Sequence, residues 1–317
     1  MPHSALNFDM VRPAKADMQP DLLRRRPRRS KSRPTVAYHG KPGAFVHIAC
    51  SHAFANADAL PFESTAEAVA AVHAGTADAL IVPCENLLAG RVPDIHLLLP
   101  ESGLHIIGEH YERIELHIAA RHGTTFEEVR RVYSHPVALQ QVRCFLTLHG
   151  LQGVGVSNTA AAAAYIAESS ALDEAAVASR EAAHYYGLQV LRANIEDSPH
   201  NITRFYILAT EPSRSRSRQV PMLTTVLFAV ENRPGSLHDA IEGFGRHQVN
   251  LTRLESYLVD GGFVATRFLC EFEGDPRSTE VRSAVEHLSM NCTSSVILGT
   301  YPANPTRPQP SVRGMKA

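Results

Sequence analysis

Between residues 35 and 210, short apolar runs alternate with helical stretches that open on Ser, Thr or Asn. A continuous run of four or five apolar residues reads as a strand covered on both faces. Strands of that kind, each followed by a capped helix, restrict the chain to an α/β architecture. Strands are read at Val36-Ala37-Tyr38, Ala79-Leu80-Ile81-Val82-Pro83, Val132-Tyr133, Val154-Gly155-Val156, Ala175-Ala176-Val177-Ala178 and Phe205-Tyr206-Ile207-Leu208. Helices are read over residues 46–54, 66–73, 137–149, 160–168 and 179–186. Two further strands, at 106–109 and 115–119, mark where the chain crosses to a second lobe.

The chemistry-bearing residues collect at the turns after these strands. Strand-to-helix corners lie at 40–46, 84–90, 134–141 and 157–160, and the loop 197–205 makes a fifth. Asn86 offers a donor and an acceptor in its corner. Ser134 is placed to cap the helix after it, or to face a cleft, with Gln141 two turns further on. Thr159 brings a second hydroxyl to a helix N-terminus. In the last stretch Pro199 bars helix, so Thr203 and Arg204 fall where a loop becomes a strand and point to opposite faces if the pleat has begun. His135, with no acid or nucleophile at a telling spacing, reads as a turn histidine. If two lobes face each other the corners converge on one cleft, a site of hydroxyls, amides and helix N-termini that hydrogen-bonds a multiply anionic small molecule.

Beyond a Ser/Arg linker at 211–221, the order strand–helix–strand–strand–helix–strand over 222–301 is a ferredoxin-like βαββαβ unit, with a hairpin turn at Asp260-Gly261-Gly262. Residues 1–33 carry nine basic and three acidic side chains, a net +6 without hydrophobic periodicity, and read as a disordered basic tail. Residues 302–317 are Pro-rich and read as a disordered tail. A net charge of −1 over 317 residues gives no global field for nucleic acid or membrane. No apolar run approaches the roughly 20 residues of a membrane span. Five scattered cysteines with no C-x-x-C suggest reduced thiols in a cytoplasmic protein and no metal site.

Taken together, the motifs Val82-Pro83-Cys84-Glu85-Asn86 with Gly90-Arg91-Val92, residues Ser134 to Gln141, Asn158-Thr159-Ala160 and Asn201-Ile202-Thr203-Arg204-Phe205 resemble the prephenate dehydratases over residues 34–300. The C-terminal unit resembles an ACT domain through residues 233–237 and 250–256. The resemblance implies a catalytic region (34–210) of two lobes, periplasmic-binding-protein-like, and cofactor-free decarboxylative dehydration of prephenate to phenylpyruvate. It gives Thr203 the role of hydroxyl donor to the departing oxygen, with Asn86, Ser134, Gln141 and Thr159 orienting substrate. Glu85 and Arg204 are added as substrate-binding candidates. A buried structural arginine turned away from the cleft is an equally weighted reading of Arg204. Phenylalanine is implied as an effector at Gly235, Ser236, Leu237, Asn250, Glu255 and Ser256, in a homodimer or homotetramer.

This chain departs from the family at Ala44, Val46 and Leu87, where hydroxyls are usual. Such losses at cleft-facing positions leave room for arogenate as substrate, a non-aromatising decarboxylase, or an amino-acid sensor without turnover. The intact Thr203-Arg204-Phe205 argues for dehydration, and the changed Tyr257-Leu258 after Ser256 alters the edge of the effector pocket.

Overall fold

A computed structural model describes residues 33–92, 95–215, 220–258 and 265–307. Residues 1–32 of the basic tail and the hairpin turn at 260–262 lie outside the described residues. Lobe one begins with β1 (Thr35–His39), α1 (Phe45–Ala53), β2 (Asp58–Phe62), α2 (Thr65–His73) and β3 (Ala79–Asn86). It continues through β4 (Gly90–Arg91), α3 (Ile95–Glu101) and β5 (His105–Arg113). The chain then crosses to lobe two: β6 (His117–Ala120), β7 (Arg131–Ser134), α4 (Pro136–Gln141), α5 (Arg143–Leu148), β8 (Gln152–Gly155), α6 (Thr159–Glu168), β9 (Glu174–Ala178), α7 (Arg180–Tyr185) and β10 (Gln189–Arg192). β11 (Ile202–Ala209) returns to lobe one.

The first sheet runs β2-β1-β3-β11-β5, with β4 beside β3, and the second runs β10-β6-β9-β7-β8. β1, β2 and β3 are parallel, and so are β7, β8 and β9. Their C-terminal ends therefore gather the expected corners at one edge of each sheet. Helices start where the capping residues dictate. Ser64 Oγ accepts from Glu67 N–H at 3.2 Å, Asn158 Oδ1 from Ala161 N–H at 2.7 Å and Ser179 Oγ from Ala182 N–H at 3.0 Å. The alternation thus gives the two-lobed α/β fold it implies, of the periplasmic-binding-protein kind, with the chain crossing twice between lobes.

The lobes touch at Gly43, whose φ is 84°. Ser179 Oγ donates to the Gly43 carbonyl at 2.7 Å, and a Cβ at Gly43 would stand 2.5 Å from Ala182 Cα. Only glycine fits both the left-handed backbone and this approach.

The helix expected over 137–149 is two helices. Asp197, on the return segment, accepts from Cys144 N–H at 3.1 Å through its carboxylate and donates its own N–H to the Gln141 carbonyl at 2.8 Å. Val142 leaves helical geometry between α4 and α5. A partner distant in sequence has replaced helical hydrogen bonds.

The C-terminal unit is β12 (Met222–Ala229), α8 (Ser236–Arg246), β13 (Leu251–Leu258), β14 (Ala265–Glu273), α9 (Thr279–Met290) and β15 (Ser294–Pro302), an antiparallel sheet ordered β13-β14-β12-β15. This is the βαββαβ arrangement read from sequence. It is not a separate bead. Ile106, Tyr206 and Leu208 of lobe one share a buried cluster with Leu223, Leu227, Leu269, Leu298 and Tyr301 of the C-terminal sheet. The tail expected from residue 302 also begins bound: Asn304 N–H donates to Glu109 Oε1 at 3.0 Å, and Arg307 reaches Glu109 and Glu271. Residues 308–317 lie outside the described residues.

Candidate active site

β3 and β11 are antiparallel neighbours, with Asn86 opposite Thr203 and Glu85 opposite Arg204. Because side chains alternate across a strand, these two pairs face opposite sides of the sheet.

On one side lies a cluster of amides and a hydroxyl. Asn86 Oδ1 accepts the N–H groups of Leu88 at 3.0 Å and Ala89 at 2.8 Å, an Asx-type turn. That settles which way the amide faces, since the reverse would set an NH₂ against two N–H donors. Asn86 Nδ2 therefore donates to Asn201 Oδ1 at 2.8 Å and to Thr203 Oγ1 at 3.0 Å. The Thr203 oxygen is an acceptor in this bond, so its own proton points elsewhere. No acceptor for that proton occurs among the described residues, which leaves it available to a ligand. Gln141 enters from lobe two. Asn201 Nδ2 donates to Gln141 Oε1 at 2.9 Å, and Gln141 Nε2 contacts Asn86 Oδ1 at 3.4 Å. Thr203, Asn86 and Gln141, distant in sequence, are thus brought together.

Asn201, fully buried, belongs to the same cluster and was absent from the candidate residues. Two sequence signals mark it: it heads the Asn201-Ile202-Thr203-Arg204-Phe205 motif, and it lies two residues before Thr203, on the same face if the extended backbone already holds there.

Other candidates lie elsewhere. Ser134 is fully buried, and its hydroxyl donates to the Val177 carbonyl at 2.6 Å. It does not cap the following helix. His135 does, accepting from Val137 N–H at 3.2 Å through Nδ1, and burial lowers its pKa. Thr159 is buried at the first position of α6, and no hydrogen bond joins it to the Asn86 cluster among the described residues.

Glu85 and Arg204 face the C-terminal sheet. Arg204 Nε donates to Glu109 Oε2 at 2.7 Å, and its Nη2 to Glu271 Oε2 and to Tyr301 Oη at 3.3 Å. Glu85 stands 4.0 Å from Arg204 and 3.8 Å from Arg253. The sequence left Arg204 open between carboxylate binding and a buried structural role, and the guanidinium takes the second. Burial alone would raise the pKa of Glu271, but the Arg204 and Arg307 charges and their hydrogen bonds hold it down at about 2.

Two of the three family departures are also apolar contacts. Ala44 is buried in the alanine-rich cluster of lobe two, and Val46 packs against that cluster and the lobe-one core. Leu87 is 61 % exposed on the loop after Asn86.

A cavity of about 460 Å³ at the lobe junction is lined by Gly43, His47, Arg180, Glu181, His184 and Tyr185, none of them in the Asn86 cluster. His47 Nδ1 accepts from Gly43 N–H at 3.0 Å, so its proton sits on Nε2, and burial lowers its pKa.

Two α/β lobes are bridged by a cluster of amides and one hydroxyl, Asn86, Asn201 and Thr203 from lobe one and Gln141 from lobe two. Residues 36–213 match the prephenate dehydratase family, and the chain belongs to it. It is 44 % identical over 275 residues to the bifunctional N-acyl-homoserine lactone acylase/prephenate dehydratase of Komagataeibacter europaeus, covering 87 % of this chain and 98 % of that protein. It is 36 % identical to arogenate dehydratase/prephenate dehydratase 2, chloroplastic, of Arabidopsis thaliana, covering 87 % and 74 %. The solved prephenate dehydratase of Arthrobacter aurescens in complex with L-Phe superposes with a TM-score of 0.77 at 30 % identity, covering 84 % of this chain and 89 % of that one.

Proposed function

We propose that this protein converts prephenate to phenylpyruvate, with carbon dioxide and water as the other products. The electrons of the bond to the ring carboxylate pass into the ring as CO₂ departs, and the C4–oxygen bond breaks. The leaving hydroxide takes up one proton to become water. The protein's part is to hold the ring and stabilise the departing oxygen. The observation that carries this reading is the Asn86–Thr203 hydrogen bond, whose direction leaves the Thr203 proton for that oxygen. Gln141 and Asn86 serve as orienting groups on either side of the cleft, and Ser134 ties the end of β7 to β9 behind them.

For regulation, phenylalanine is the proposed effector and the C-terminal unit the proposed ACT domain. Support comes from the L-Phe complex of the Arthrobacter protein and from the βαββαβ order. Gly235 precedes α8 with φ 85°, and the Ser236 hydroxyl is buried there with no hydrogen-bond partner among the described residues. Leu237 packs on the core of this unit, and Asn250 is exposed at the start of β13. Glu255 is held by Arg253 at 2.7 Å, and the Ser256 carbonyl accepts from Arg91 at 3.1 Å, next to the Asn86 loop. Exposed Leu254, Leu258, Val296 and Ile297 on the same sheet support a homodimer or homotetramer. Cytoplasmic residence remains part of the proposal. Among the described residues no helix is long and apolar enough to cross a membrane.

Purified protein is given prephenate and phenylpyruvate is followed by its absorbance in alkali, beside Thr203→Ala. Turnover that falls about 10²- to 10³-fold in the variant is expected. Equal background signals in both would refute the reading. The same assay with arogenate, and with phenylalanine added, decides substrate preference and inhibition.

A further inference from the structure

The residue after Thr203 belongs to a different environment from Thr203 itself. Arg204 is 4 % exposed, and its guanidinium is tied to Glu109 of β5, Glu271 of β14 and Tyr301 of β15. It also lies 4.9 Å from the centre of the Tyr206 ring. Its partners are themselves held from the C-terminal side. Glu271 accepts from Thr252 Oγ1 at 2.8 Å and Arg307 Nη2 at 2.7 Å, and Tyr301 Oη donates to Glu271 at 2.8 Å and meets Thr225 Oγ1 at 2.9 Å. The backbone of Arg204 is pinned as well. The β3–β11 register shifts between Arg204 and Phe205, leaving Cys84 as the extra residue, and the Cys84 thiol lies 3.4 Å from the Arg204 carbonyl oxygen as its donor.

The geometry points to Arg204 as a positioning residue for Thr203, with the C-terminal sheet holding the Thr203 hydroxyl against Asn86 through the Glu271–Tyr301–Arg204 cluster. One peptide unit joins the two residues, and an extended strand has no slack. A shift of the Arg204 backbone, released when its buried guanidinium is no longer held, therefore turns or displaces the neighbouring hydroxyl. Misplacement by about an ångström costs on the order of a hundredfold in rate. The C-terminal unit becomes part of the active-site support, beyond any role in binding an effector. This rests on the dehydratase reading for its kinetic consequence, not for its geometry.

Glu271→Gln keeps the side-chain shape and removes the charge, and Tyr301→Phe removes one hydroxyl at the edge of the cluster. In each, kcat and KM on prephenate are measured with the thermal midpoint, alone and combined with Thr203→Ala. The expected result is kcat lowered about tenfold in Glu271→Gln and severalfold in Tyr301→Phe, with KM within about twofold. In the Thr203→Ala background the same changes should have no further effect on kcat, because the hydroxyl they position is gone. A purely structural role would instead lower the melting temperature and leave kcat alone, or give the same loss in both backgrounds; either result overturns the inference. Tyr301→Phe decides the matter if Glu271→Gln does not fold. The side-chain amide resonances of Asn86 supply a readout independent of turnover. They should move in Tyr301→Phe, and unmoved resonances overturn the proposal. Wild-type protein without prephenate turnover would sink the dehydratase reading while leaving this second readout in force.

Discussion

Replacing Asn86 by Asp changes one group in the cluster and little of its shape. The wild-type amide faces two backbone N–H donors with Oδ1 and two acceptors, Asn201 Oδ1 and Thr203 Oγ1, with Nδ2. In Asn86→Asp one carboxylate oxygen still accepts from Leu88 and Ala89, so the loop and the fold persist. The other oxygen now stands about 2.8 Å from the Asn201 oxygen, where a donor had been. The Thr203 hydroxyl can relieve the contact at its own position by rotating to donate to the new carboxylate. Its proton is then lost to the substrate. Losing one aimed donor costs about 10²- to 10³-fold in kcat, roughly 3–4 kcal/mol of transition-state stabilisation. Protonating the carboxylate restores a donor, so activity relative to wild type should rise as pH falls through that group's pKa. The assay is kcat on prephenate across pH 4.5–8, with circular dichroism to show that the variant is folded. A folded Asn86→Asp with wild-type kcat would refute the assignment of the amide's direction and of the Thr203 proton.

Two further outcomes concern the seam between lobe one and the C-terminal sheet. In Gly299→Ala the new Cβ would lie 2.1 Å from the Ile106 carbonyl oxygen, a backbone atom that cannot swing aside, so β15 must lift from β5. Overpacking of this kind costs about 1–3 kcal/mol or more, and a thermal midpoint lowered by several degrees is expected; an unchanged midpoint would contradict the close approach. Stability should also fall as pH drops from about 4.5 to about 2. The Glu271 carboxylate is depressed in the folded protein, so its contribution is complete above the unfolded pKa and disappears as pH falls through the folded one. The amount is of order 3 kcal/mol, and Glu271→Gln should flatten that part of a pH-dependent denaturation series, the check being the slope in wild type against variant.

Much of the fold could be read along the chain because its causes are local. Apolar runs such as residues 79–83 and 175–178 make buried strands wherever they pair, and Ser64, Asn158 and Ser179 start helices through bonds three residues away. Motif content likewise pointed to Asn86, Gln141 and Thr203, and pleat parity placed Thr203 and Arg204 on opposite faces. Parity does not say which face is the cleft. The Arg204 face is the one the C-terminal sheet covers, through Glu271 and Tyr301, which lie 67 and 97 residues further along the chain. Ser134 has the composition of a helix cap, yet a strand neighbour's carbonyl, Val177, takes its hydroxyl. The break at Val142 likewise depends on Asp197, which meets Gln141 and Cys144 only once both crossings between the lobes are made. Local spacing therefore determines which segments curl or extend and which groups they carry. The direction in which a buried polar group spends its hydrogen bonds depends on donors and acceptors that only the assembled chain brings within reach.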